Sequence, residues 1–131
     1  MKAEPPKVDA KRVLIVDDEP SIAVSLEYLM EQCGYTVNVA RDGIDALRQT
    51  EKFKPHLILL DVMLPLKSGF EVCQKIRENR SLPATKIIIL SAKGRDIEVA
   101  KGRALGADAY ITKPFGTKEL LEQVRRLLSD A

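Results

Sequence analysis

In this chain of 131 residues, side chains capable of chemistry stand at the ends of four runs of strand-forming residues. Asp17, Asp18 and Glu19 follow Val13 to Val16, Asp61 follows Leu57 to Leu60, Ser91 follows Ile87 to Leu90, and Lys113 follows Ala109 to Thr112. Taken singly, each suits a turn or a helix cap, because Asp and Ser bond readily to nearby backbone. Taken together they resist that explanation. Two or three carboxylates brought to about 4 Å repel by roughly 4 kcal/mol per pair at an effective dielectric of 20, so a positive charge must offset them. Mg²⁺ favours hard oxygen ligands, including one or two protein carboxylates, with its other positions left to water and a phosphate. Lys113 supplies a further fixed positive charge.

These residues can meet only if their apolar runs lie side by side. Strands are expected at Arg12 to Asp17, Thr36 to Ala40, His56 to Asp61, Lys86 to Ser91 and Ala109 to Thr112, the second short and at an edge. Their Val, Ile and Leu content suits a sheet covered on both faces. Helical periodicity fills the intervals. The first helix follows Pro20 and carries Ile22, Leu26, Leu29, Met30 and Cys33, with Gly34 as its stop. A second carries Ile44 and Leu47, a third Phe70, Cys73 and Ile76, and a fourth runs from Asp96 to Leu105 before Gly106. The fifth, after Pro114, has a wide stripe of Leu120, Leu121, Val124, Leu127 and Leu128. Five β/α pairs with right-handed crossovers give a doubly wound α/β fold, whose site lies outside the carboxyl ends of its strands.

Composition narrows the function. The length suits one domain, burying roughly 65–70% of its unfolded surface. Residues 1–10 read as a flexible N-terminal extension and 11–131 as one folded unit. With 21 basic and 19 acidic residues interspersed, the net charge of +2 leaves no basic footprint for nucleic acid. The apolar strand runs are far short of the ~20 residues of a membrane span, and the first ten residues lack the apolar core of a secretory signal, so a cytoplasmic location is expected. Cys33 and Cys73 have no metal-ligand spacing and read as buried free thiols. His56, the only histidine, opens the third strand at the end away from the carboxylates and is not expected to be catalytic.

Leu14-Ile15-Val16-Asp17-Asp18-Glu19, Leu59-Leu60-Asp61-Val62-Met63-Leu64-Pro65, Ser91-Ala92 and Lys113-Pro114-Phe115 resemble the receiver domain of bacterial response regulators, a likeness that covers Lys11 to about Ser129. The resemblance implies a flavodoxin-like sheet of order 2-1-3-4-5. It implies a phosphoryl-acceptor switch in a two-component phosphorelay, one that assists its own phosphorylation and dephosphorylation without being a conventional turnover enzyme. Asp61 is then the acceptor, Asp18 a direct metal ligand, Asp17 a ligand through water, and the Met63 backbone carbonyl a further ligand. The ion is Mg²⁺, with Mn²⁺ as a substitute. The phosphoryl donor is a histidine kinase or a histidine phosphotransfer protein.

The same resemblance gives Lys113 and Ser91 the phosphoryl oxygens, couples Ser91 to an inward turn of the Tyr110 ring, and makes Lys113-Pro114 a candidate cis peptide. Lys101, Arg103, Tyr110 and Lys118, on the fourth helix, fifth strand and fifth helix, form the expected face for a downstream protein target. Met63 and Lys93 stand beside the phosphoryl group, where they control the access of water. A flavin protein of this topology is excluded because Asp17-Asp18-Glu19-Pro20 would repel a flavin phosphate. A phosphatase with an aspartyl nucleophile would need a second aspartate where Met63 stands. A stand-alone regulator is expected, the alternatives being a receiver fragment of a longer regulator with an output domain and a scaffold that is never phosphorylated. Pairing through the fourth and fifth helices is doubtful, with Ala109 and Gln123 at the usual charged positions, so a monomer is expected when unphosphorylated.

Overall fold

Every residue of β3 (Leu57–Asp61) is buried, as a strand must be when helices cover both faces of its sheet. The computed structural model describes residues 10–82 and 84–129. The expected N-terminal extension therefore lies, apart from Ala10, outside the described residues. β1 (Arg12–Val16), β2 (Thr36–Ala40), β3, β4 (Lys86–Ser91) and β5 (Ala109–Thr112) form one parallel sheet in the order β2-β1-β3-β4-β5. The helices between and after them are α1 (Pro20–Gln32), α2 (Gly43–Phe53), α3 (Gly69–Glu78), α4 (Asp96–Ala104) and α5 (Thr117–Leu128).

Alternation along the strands splits the core in two. Val13, Ile15, Leu57, Leu59, Ile88, Leu90 and Ile111 pack with Leu26 and Met30 of α1 and Leu120, Val124, Leu127 and Leu128 of α5. Leu14, Val16, Ile58, Leu60, Ile87 and Ile89 face the other way, against Ala46 of α2 and Phe70, Val72, Cys73 and Ile76 of α3. The period of two in the strands thus meets the period of 3.6 in the helices on both sides of the sheet. The expected strand and helix positions hold to within about a residue or two at their ends.

Local chemistry sets the helix ends. Pro20 opens α1, and Gly34, at φ 92°, carries the chain out of it in the left-handed region that glycine enters freely. Asp42 caps α2 through the Asp45 N–H, and Ser68 and Glu71 form a reciprocal capping box on α3. Two side-chain expectations fail. Ile44 is exposed, because Gly43, Ala46 and Thr50 form the inward face of α2. Cys33 is only half-buried, because it caps α1 at its outer end, whereas Cys73 is fully buried.

Candidate functional site

The strand order decides which side chains converge. β3 is central, so Asp61 at its carboxyl end has the Asp17-Asp18 turn of β1 on one side and Ser91 of β4 on the other. β5 lies beyond β4, and the long side chain of Lys113 reaches back across it. Its ammonium lies 3.0 Å from Asp17 Oδ2 and 3.5 Å from Asp61 Oδ2. One carboxylate oxygen from each of Asp17, Asp18 and Asp61 lies within 4.8 Å of the others. Asp17 and Asp61 are buried, while Asp18 is exposed. The carboxylates that single positions left ambiguous therefore share one site.

Backbone geometry fixes their orientation. Asp17 Oδ1 accepts the Glu19 N–H at 3.0 Å, and Asp61 Oδ1 accepts the Met63 N–H at 3.2 Å. Each carboxylate thus holds one oxygen on its own turn and turns the other toward Lys113. Gly69 lets α3 start directly beneath Asp61, since a Cβ there would stand 2.2 Å from the Asp61 carbonyl oxygen. The signal for that close approach was present in the sequence as Ser68-Gly69-Phe70-Glu71, a cap with a small residue just inside it. The loop before it holds Leu66 at φ 72°, a left-handed conformation unfavourable for a side chain of that size.

The charges perturb one another as their placement requires. Burial raises the Asp61 carboxyl above its ordinary range, with Lys113 and the Met63 N–H opposing the rise and Asp17 adding to it. Burial alone would lower the Lys113 ammonium, but its bond to Asp17 and the nearby Asp61 charge reverse that and raise it. Lys113 therefore stays charged and partly balances a buried pair of acids. Ser91 is fully buried, its Oγ accepting the Lys93 N–H at 3.0 Å, and its carbonyl accepts the Lys113 N–H at 2.8 Å. The Lys113-Pro114 peptide is cis.

The Tyr110 ring lies against Gly102, with its hydroxyl donating to the Lys93 carbonyl. The Lys101 ammonium stands 4.7 Å from the centre of the Phe70 ring. Asp18, Met63, Lys93, Phe70 and Lys101 line an open groove of about 540 Å³ beside the carboxylates. Sequence reading missed the Phe70–Lys101 pair, because the two residues lie on different helices with no local pattern to join them. Arg103 and Lys118 are exposed.

Comparison with known proteins agrees with this geometry. Residues 13–125 match the family model of the response regulator receiver domain. The chain is 44% identical over 118 residues to the alkaline phosphatase synthesis transcriptional regulatory protein PhoP of Bacillus subtilis, an alignment covering 90% of this chain. It spans about half of that relative, 48% of its length. The BeF3-activated DrrB receiver domain superposes with a TM-score of 0.83 at 36% identity, covering 92% of this chain and 99% of that one. The receiver domain of a sensor histidine kinase from Pseudomonas aeruginosa PAO1, solved with magnesium coordinated in its active site cleft, superposes with a TM-score of 0.84 at 28% identity over 92% of this chain and 99% of that one. With the sheet order, the acidic cluster and the match over residues 13–125 in agreement, the chain belongs to the response regulator receiver domain family.

Proposed function

We propose that Asp61 is the residue through which this phosphoryl-accepting switch is charged, with Lys113 and Ser91 holding the transferred group. The observation that carries this reading is the convergence of Asp17, Asp18 and Asp61 within 4.8 Å, with one ammonium within 3.5 Å of Asp61. Such a donor set, all oxygen and partly exposed, fits Mg²⁺, or Mn²⁺ in its place. Asp18 and Asp61 would hold the ion directly, Asp17 through water, and the Met63 carbonyl from the backbone. A bound divalent cation supplies charge neutralisation for a phosphoryl group in transfer.

The remaining work falls to the chain. An oxygen of Asp61 attacks phosphorus while the phosphorus–nitrogen bond of a phosphohistidine breaks and the imidazole leaves with the bonding pair. Lys113, raised in pKa and therefore cationic, stabilises the anionic oxygens as they form. Ser91, seated at the end of β4, donates its hydroxyl to one of them. The donor is a histidine kinase or a histidine phosphotransfer protein. The face of α4, β5 and α5 receives the downstream protein target, with Lys101, Arg103, Tyr110 and Lys118 as its contacts. Asp108 is engaged inside the chain by Arg77 at 2.7 Å, which supports a monomer in the unphosphorylated state.

Acetyl phosphate tests the acceptor. With Mg²⁺, the wild type should gain the mass of one phosphoryl group and Asp61→Asn should not. An unchanged wild-type mass rejects phosphorylation, and a persistent gain in Asp61→Asn assigns it elsewhere. Light scattering should give a monomer mass without beryllofluoride; a dimer in that state overturns the proposed oligomeric form.

A further inference from the structure

The loop between β3 and α3 carries the Met63 carbonyl, and two neighbouring carbonyls give that loop its shape. The Val62 carbonyl accepts the Leu64 N–H at 3.0 Å and the Gly69 N–H at 2.9 Å. The Pro65 carbonyl accepts the Lys67 N–H at 2.8 Å and, from another element, the Gly43 N–H at 3.2 Å. The Lys67 bond closes a three-residue turn about Leu66, which at φ 72° takes the strained form of that turn. Leu66 is 71% exposed, so packing of its own side chain does little to offset the strain. A strained turn persists where its surroundings over-determine it, and Gly43 reaches this one from outside the loop.

Gly43 opens α2, a position whose N–H has no partner within its own helix. Here it is buried and spends that N–H on the loop. A Cβ on it would overlap the Lys67 carbonyl oxygen and stand 2.5 Å from Lys67 Cβ and 2.9 Å from the Lys67 carbonyl carbon. Two of these three atoms are backbone, so no side-chain rotation relieves the overlap and the loop itself must move. We infer that Gly43 is a positioning residue: its N–H and its missing side chain seat the loop, and through the loop they set how well the Met63 carbonyl meets a divalent cation beside Asp18 and Asp61. The inference rests on the metal site of the proposed function. Linkage makes the effect reciprocal, since a seat that favours the ion is itself tightened when the ion binds.

Amide hydrogen exchange of the wild type tests it without any substitution. Saturating Mg²⁺ should slow exchange of the Gly43 N–H about fivefold or more. The Asp45 N–H, two residues on and bonded to Asp42 Oδ1 at 2.7 Å, should slow less than about twofold. Calorimetric titration with Mg²⁺ then compares variants. Gly43→Ala should weaken binding about fivefold or more. Ala46→Gly, at a buried position of the same helix, should lower the folding constant about fivefold yet leave Mg²⁺ affinity within about twofold of wild type, which separates the seat from a general loosening of α2. Equal slowing of the Gly43 and Asp45 amides, or equal affinities in wild type and Gly43→Ala, overturns the proposal, and the exchange result decides alone if Gly43→Ala does not fold. A wild type that binds no Mg²⁺, or an Asp18→Asn variant that binds it as tightly, overturns the metal site itself and the seat with it.

Discussion

A carboxylate as buried as that of Asp61 destabilises a metal-free chain whenever it is charged. Its folded pKa is raised above the ordinary 3.8, chiefly by burial. Stability is therefore greatest while the group is protonated, and it declines as pH rises through the unfolded value and then through the raised folded one. Above that raised folded value the whole penalty is present. Asp61→Asn removes it and leaves Lys113 paired with Asp17 at 3.0 Å. Urea unfolding at pH 7 without divalent ions should then show Asp61→Asn more stable than wild type by about 1 kcal/mol. Saturating Mg²⁺ should reverse the order, since a ligand at a hundred times its Kd adds about 2.7 kcal/mol to the form that binds it. An unchanged ranking in Mg²⁺ would remove Asp61 from the metal site.

Between elements, one side chain stands out. Arg77 of α3 donates to the Gly106 carbonyl at 2.8 Å and to Asp108 Oδ2 at 2.7 Å, and also reaches the Thr85 carbonyl. Asp108 in turn accepts the Ile87 N–H at 2.8 Å, so α3, the start of β4 and the turn before β5 share one network. Arg77→Met keeps the apolar stem and strands these acceptors, which should cost about 2 kcal/mol in chemical denaturation. A loss below a few tenths of a kcal/mol would mean that water replaces the guanidinium. None of this was legible in the sequence, where Arg77 and Asp108 are merely two charges on polar stretches. The strands were legible because Val, Ile and Leu runs bounded by turn residues state their own ends. The acidic site was legible because its members occupy those ends. Ile44 misled because apolar spacing does not say which small residues, here Gly43 and Ala46, will face the sheet.

Across the whole molecule, the two ends of the sheet respond to acid in opposite senses. At the amino ends, His56 Nδ1 accepts the Arg12 N–H at 2.9 Å, and burial, Arg12 and Lys11 all lower its pKa. A lowered pKa means stability present above the ordinary 6.5 and lost as pH falls through the folded value. Asp61, at the other end, gains as it protonates. His56→Gln should therefore lose less stability than wild type between pH 7 and pH 5 in metal-free buffer, by less than about 1 kcal/mol. Equal slopes in the two proteins would show that the histidine does not contribute.

The margins of the sheet have a consequence of another kind. β5 has only four residues, and β2 is its least buried strand, with Thr36 and Asn38 among its five. A parallel sheet left open at both sides invites further strands to add, in a crowded cell most of all. Short and polar borders discourage that addition, while the sticky Val, Ile and Leu segments are kept in β1, β3 and β4, where both neighbours are already taken. Addition of a further strand is thus opposed at the two strands that contribute least to the core.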